Sequence, residues 1–136
     1  MGRVLGVDYG DVRIGLSVSD KKKIIALPLK TIINSDSIIY DLKQIIIHKD
    51  VESIVVGIPI GMNGNDTKQT TKVREFSESL SILCLPVYME DERLSSVAAE
   101  KSLYIENIKT GHNKEIIDKR AATIILQQFL DRTNFK

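Results

Sequence analysis

Residues 3–8 form a nearly continuous apolar run, Arg3-Val4-Leu5-Gly6-Val7-Asp8, the pattern of a strand buried on both faces. A chain containing such a strand must cover both sides of a sheet. The run ends in a carboxylate, Asp8, which is costly at the tip of a central strand unless it has a task. After Tyr9-Gly10-Asp11, residues Val12, Ile14, Leu16 and Val18 alternate with Arg13, Gly15, Ser17 and Ser19. That period of two marks a strand with one covered face. Gly10 is expected to supply a positive φ in the turn between them. Asp20 to Lys23 makes a second polar turn, and Ile24 to Leu29 reads as a third strand ending near Pro28, so the chain is expected to start as an antiparallel meander.

The period then changes. Asn34-Ser35-Asp36-Ser37 offers several N-caps, and Ile38, Leu42, Ile45 and Ile46 follow at helical spacing, which predicts a helix over 36–49. Ser53 to Pro59 reads as a Val/Ile strand entering the polar loop Gly61-Met62-Asn63-Gly64-Asn65. Asp66 and Gln69 resemble a capping box, ahead of a helix face made by Val73, Phe76, Leu80 and Leu83. Pro86 to Glu90 is a short fifth strand. Ser95-Ser96 are expected to cap a helix through about Leu103, residues 104–113 a polar loop with Gly111, and 114–132 a final helix. This order predicts one α/β domain over 1–136, a mixed five-stranded sheet flanked by helices.

Composition narrows the class. Apolar residues make up 43% and charged residues 27% of the chain, as in ordinary soluble globular proteins. The formal net charge of +1 argues neither for nor against nucleic acid, which would need a local basic patch. No signal-peptide pattern opens the chain, and no apolar stretch approaches the roughly 20 residues that span a bilayer. The single cysteine, Cys84, cannot form an internal disulfide, and a cytoplasmic location is expected. With two distant histidines, His48 and His112, neither a zinc site nor a Cys-His dyad is supported.

Three acidic positions stand out. Asp8 ends the first strand, Asp91-Glu92 follow the fifth, and Asp118 interrupts an apolar helix face whose other members are Ala121, Ala122, Ile125, Leu126 and Phe129. The paired alanines let that end of the helix approach the sheet closely. Strand tips are where open α/β sheets place functional groups. Converging carboxylates repel one another, and a hard divalent cation relieves the repulsion. Oxygen-only ligation suits Mg²⁺ or Mn²⁺, and two such ions suit phosphodiester hydrolysis. Each acid has a plainer reading. Asp8 could cap the turn at Gly10, Asp91-Glu92-Arg93 could hold an internal ion pair, and Asp118 could pair with Arg93. Arg13 and Arg93 are candidate phosphate ligands. Lys101, Lys109, Lys114, Lys119 and Arg120 are candidates for a nucleic-acid approach, against a default of solvated helix face.

Gly6-Val7-Asp8-Tyr9-Gly10-Asp11-Val12-Arg13-Ile14-Gly15, Val55-Val56-Gly57-Ile58-Pro59, Asp91-Glu92-Arg93-Leu94-Ser95-Ser96 and Asp118-Lys119-Arg120-Ala121-Ala122 with Ile125-Leu126-Gln127 together resemble the YqgF (RuvX) family. These are small RNase H-like proteins described as Holliday-junction resolvases and as nucleases maturing the 5′ end of pre-16S ribosomal RNA. The resemblance runs over essentially the whole chain in the same order. It implies an RNase H-like fold with the first strand central, and a two-metal nuclease using Mg²⁺ or Mn²⁺. It further implies Asp8, Glu92 and Asp118 as catalytic metal ligands, with Asp91 a second acid of the same motif. Gly10, Arg13, Arg93, Ser95, Lys114 and Lys119 are the expected substrate contacts. Ser95-Ser96 stand where the family often has threonine, which keeps a hydroxyl. RuvC-type resolvases carry an acid at the end of the fourth strand, where this chain has Gly57-Ile58-Pro59. The expected partners are structured RNA of a ribosome precursor or branched DNA, bound by a monomer or weak homodimer. Two other readings stay open. Asp-x-Gly before an alternating strand also resembles the phosphate loop of actin/Hsp70-like ATPases, and a ribosome-assembly factor with a vestigial site would look the same.

Overall fold

A computed structural model describes residues 2–94 and 114–134, with the side chains of 114–118 outside the description. Five strands form one sheet: β1 (Arg3–Asp8), β2 (Arg13–Ser19), β3 (Ala26–Ile33), β4 (Val51–Ile58) and β5 (Val87–Asp91). Their spatial order is β3-β2-β1-β4-β5. The meander β1-β2-β3 is antiparallel, while β4 and β5 run parallel to β1. The apolar run therefore occupies the centre of a mixed sheet, with a partner on each side.

Helices α1 (Ile38–Lys49) and α2 (Lys68–Ser79) cover one face, and α3 (Lys114–Asn134) covers the other. Alternation along β1 feeds both layers. Leu5 and Val7 enter the core with Leu42, Val73 and Phe76, whereas Val4 joins Ala121, Ile125, Leu126 and Leu130. Each fully buried leucine or isoleucine contributes about 2 kcal/mol, and both layers rest on the same central strand.

Local chemistry departs from the sequence expectations in four places. The third strand starts at Ala26 because the Asp20 carboxylate accepts from the amides of Ile24 and Ile25 at 2.8 and 2.9 Å, holding both in the turn. It continues past Pro28 to Ile33. Proline is tolerated because β3 is an edge strand, with a ladder on one side only. The second helix is capped by Thr67 and Thr70 in a reciprocal capping box, and Asp66 instead pairs with Arg74 at 2.8 Å. Leu80–Leu83 tighten into a 3-10 turn. Finally, positive φ among the described glycines occurs at Gly64. Gly10 is required for closeness: a Cβ there would stand 2.4 Å from the Arg13 carbonyl oxygen. The helix expected at 95–103 and the loop at 104–113, with Ser95, Lys101, Lys109, Gly111 and His112, lie outside the described residues. No described helix is long and apolar enough to cross a membrane.

Candidate active site

Side-chain alternation assigns each strand-tip residue to a face. On β1, Val4 packs in the α3 layer and Gly6 meets Leu126 and Ala122, so Asp8, two residues on, faces α3 as well. It is buried, 6% exposed. On β5, Tyr88 stacks on Phe129 of α3, with ring centroids 5.4 Å apart. Glu90 bonds Gln128 and Arg132 of the same helix. Glu92 follows in a 3-10 turn (Glu92–Leu94) and is buried, 4% exposed.

Gly57 brings the two acids together. It stands one residue beyond the Val7–Val56 pair that joins β4 to β1, beside Asp8 at the strand spacing of about 4.8 Å. A Cβ on Gly57 would lie 3.2 Å from Glu92 Oε2 and 2.3 Å from Ile125 Cδ1. The Glu92 carboxylate thus lies over the glycine that neighbours Asp8. The third predicted acid, Asp118, sits on α3 one turn before Ala122, at the end of the helix that faces these tips. Among the described residues no three His, Cys, Asp or Glu side chains converge, and the Asp118 side chain is not one of them.

Asp91 and Glu92 part company at this point. Asp91 ends β5 on the opposite face, and its carboxylate accepts from the Arg93 amide at 2.9 Å and the Arg93 guanidinium at 2.8 to 3.2 Å. The Arg93 side chain beside it holds the Asp91 carboxyl below the usual carboxylate range, and the Asp91 carboxylate raises Arg93 in turn. This is the internal ion pair allowed by the sequence, and it holds the Asp91 carboxylate on the face opposite the one that carries Asp8 and Glu92. Arg93 also reaches the Gly61 carbonyl at 3.5 Å, which ties the loop after β4 to the site. Because the folded Asp91 carboxyl is depressed, its pairing adds stability above the ordinary aspartate range and loses it as pH falls through the lowered value. Arg93→Ala should therefore unfold more easily than the parent at pH 7. The gap should close as pH falls below about 4, measured by urea titration across that range.

The basic candidates separate in the same way. Arg13 opens β2 on the α3 face, two residues before the Gly15 that pairs with Asp8, and so borders the acids. Gly10 shapes the turn beside it, with its carbonyl accepting from the Asn34 side chain at 2.9 Å. Lys119, with Arg120, Pro28 and Thr123, lines a groove of about 240 Å³ between β3 and α3. Lys114 lies in the first turn of α3, and Ser95 is outside the described residues. A larger cleft of about 470 Å³, lined by Lys30, Asp41 and His48, lies between β3 and α1. That is the far side of the sheet from the acids. Glu90 and Ser17 are positions that sequence reasoning passed over. The period-two series Tyr88-Glu90-Glu92 was the available signal for Glu90.

The chain matches the family model described as "RuvX: Holliday junction resolvase" over residues 2–132. A Caldanaerobacter subterraneus subsp. tengcongensis protein named "Putative pre-16S rRNA nuclease" is 46% identical over 135 residues, 95% of this chain and 96% of its own. A Maridesulfovibrio salexigens protein of the same name is 39% identical over 133 residues, 96% of this chain and 98% of its own. Among solved structures, Thermus thermophilus RuvC in complex with a Holliday junction substrate superposes with a TM-score of 0.62 at 17% identity, covering 98% of this chain and 96% of that one. The fowlpox virus Holliday junction resolvase gives 0.53 at 9% identity, covering 96% and 99%. These likenesses show the RNase H-like fold expected from the sequence.

Proposed function

The chain belongs to the RuvX family, and from that premise we propose that it is a divalent-metal-dependent endonuclease that processes the 5′ end of precursor 16S ribosomal RNA in the bacterial cytoplasm. The observation that carries the reading is the placement of two buried carboxylates, Asp8 and Glu92, on either side of Gly57. They lie on the face where α3 brings Asp118. The donor set is all oxygen and fits Mg²⁺ or Mn²⁺. Asp8, Glu92 and Asp118 would hold the metal, taken as two ions. When bound, it supplies Lewis acidity that neutralises the phosphodiester and assists attack by water.

The chain's own residues do the remaining work. The apolar layer of Ile125 and Leu126 under the acids excludes water from their inner side, which keeps the electrostatics of the site strong. Arg13 offers a cation for a phosphate at the rim. Lys119 and Arg120 offer a path for the flanking backbone, and their contribution should weaken with salt.

The relatives' names favour RNA processing, and Gly57 sets this site apart from that of junction resolvases. RuvC-type resolvases place an acid on the fourth strand, and here Ile125 and the Glu92 carboxylate fill the space that even a Cβ would need. The carboxylate set is thus one short of that arrangement. The test compares a precursor 16S leader RNA with a four-way DNA junction at matched salt, with Mg²⁺ or Mn²⁺. Cleavage of the RNA, leaving 5′-phosphate and 3′-hydroxyl ends, is the expected result. Symmetric cutting of the junction with intact RNA would replace this reading by resolution. Cutting of neither, with growth of a deletion strain rescued by a variant lacking both Asp8 and Asp118, would make the protein an assembly factor.

A further inference from the structure

We infer that Ser17 is a positioning residue for the metal site, setting the height and register of α3 over the sheet and with them the place of the helix backbone at position 118 relative to Asp8. The inference rests on the metal-site reading above. Ser17 lies at the centre of β2, is fully buried, and donates its hydroxyl to the Ala122 carbonyl at 2.8 Å across 105 residues of sequence. Carbonyls within a helix already accept from the amide four residues on, and Ala122 uses its second lone pair for Ser17. That bond is therefore not needed to satisfy the helix. Its consequence is positional.

Gly6, paired with Ser17 in the sheet, completes the dock. A Cβ at Gly6 would fall 2.2 Å from Ser17 Oγ, 2.8 Å from Leu126 Cβ and 3.1 Å from the Ala122 carbonyl oxygen. The helix backbone thus rests on a glycine and is tied down by the neighbouring serine. From this contact the strand and the helix run similar distances toward the site. Gly6 to Asp8 is two strand residues, about 6.6 Å, and Ala122 back to Asp118 is four helical residues, about 6 Å. The helix runs antiparallel to β1, since Leu130 and Val4 line one cleft at the other end. Fixing Ala122 against Gly6 and Ser17 therefore fixes position 118 against position 8.

A residue that works through Asp118 should lose its effect when Asp118 is gone, whereas a residue serving only general stability should not. Mn²⁺ affinity of the intact protein, measured by calorimetry, is the readout. Ser17→Ala deletes one oxygen without adding bulk, and should weaken Mn²⁺ binding about tenfold, as loss of a supporting partner of a metal ligand does. Gly6→Ala, which lifts the helix while leaving the hydroxyl, should weaken it at least as much. In an Asp118→Asn background neither change should weaken binding further. Equal weakening in both backgrounds, or none in the parent, would overturn the positioning role. If Asp118→Asn leaves Mn²⁺ affinity unchanged, the metal-site reading itself fails, and the role of Ser17 fails with it.

Discussion

Asp8→Asn should reduce metal-dependent cleavage at least about a thousandfold, roughly 4 kcal/mol on the barrier, while leaving the fold intact. The substitution keeps the shape of the side chain and removes its charge at a position 6% exposed. Asparagine offers a hard cation one neutral oxygen where aspartate offers two charged ones, so the loss falls on metal affinity first. Thermal unfolding separates this from misfolding. Wild-type protein should gain melting temperature on adding Mn²⁺, because a ligand that binds the native state stabilises it, and the variant should gain almost none. In metal-free buffer the variant should keep the secondary structure and cooperative unfolding of the parent, because the substitution preserves the shape of a buried side chain. Cleavage retained within tenfold of the parent would remove Asp8 from the site. Loss of both cleavage and metal-free stability would make it a structural residue instead.

The elements of this protein were legible where burial follows a simple period. The apolar run of β1, the alternation of β2 and the stripe Ala121-Ala122-Ile125-Leu126 all lie where their patterns place them. What the sequence left open depends on pairings between distant segments. Asp91 and Glu92 are adjacent acids, and although the period-two series Tyr88-Glu90-Glu92 puts them on opposite faces, it does not say which face carries the site. The separation comes from β5 ending at Asp91, which turns one carboxylate toward Arg93 and the next toward α3. Gly57 reads as an ordinary strand residue until Ile125 and Glu92 arrive from far along the chain. Pro28 reads as a strand end because its missing donor matters in a central strand and not on an edge. Ser17 looks like the polar half of an alternating strand, as though it faced water. It is buried because α3 covers that face too, a fact set by residues 105 positions away.

Glu90 is the acid with the largest expected effect on stability. Its carboxylate is 1% exposed, whereas its partner Arg132 is half-exposed. Gln128 donates to the same carboxylate, and the Arg132 guanidinium also lies 5.5 Å over the Phe129 ring. Arg132→Ala would leave a buried negative charge with one neutral donor, so the variant should lose about 3 kcal/mol of unfolding free energy, as when one partner of a buried pair is removed. The cost comes from the stranded charge more than from the lost attraction. Replacing both residues, Glu90→Leu with Arg132→Ala, should therefore recover about 2 kcal/mol of the loss, because an apolar side chain needs no counter-charge there. Urea unfolding of the parent, both single variants and the double variant measures this coupling. Additive losses would mean that Arg132 contributes through packing on Phe129 alone.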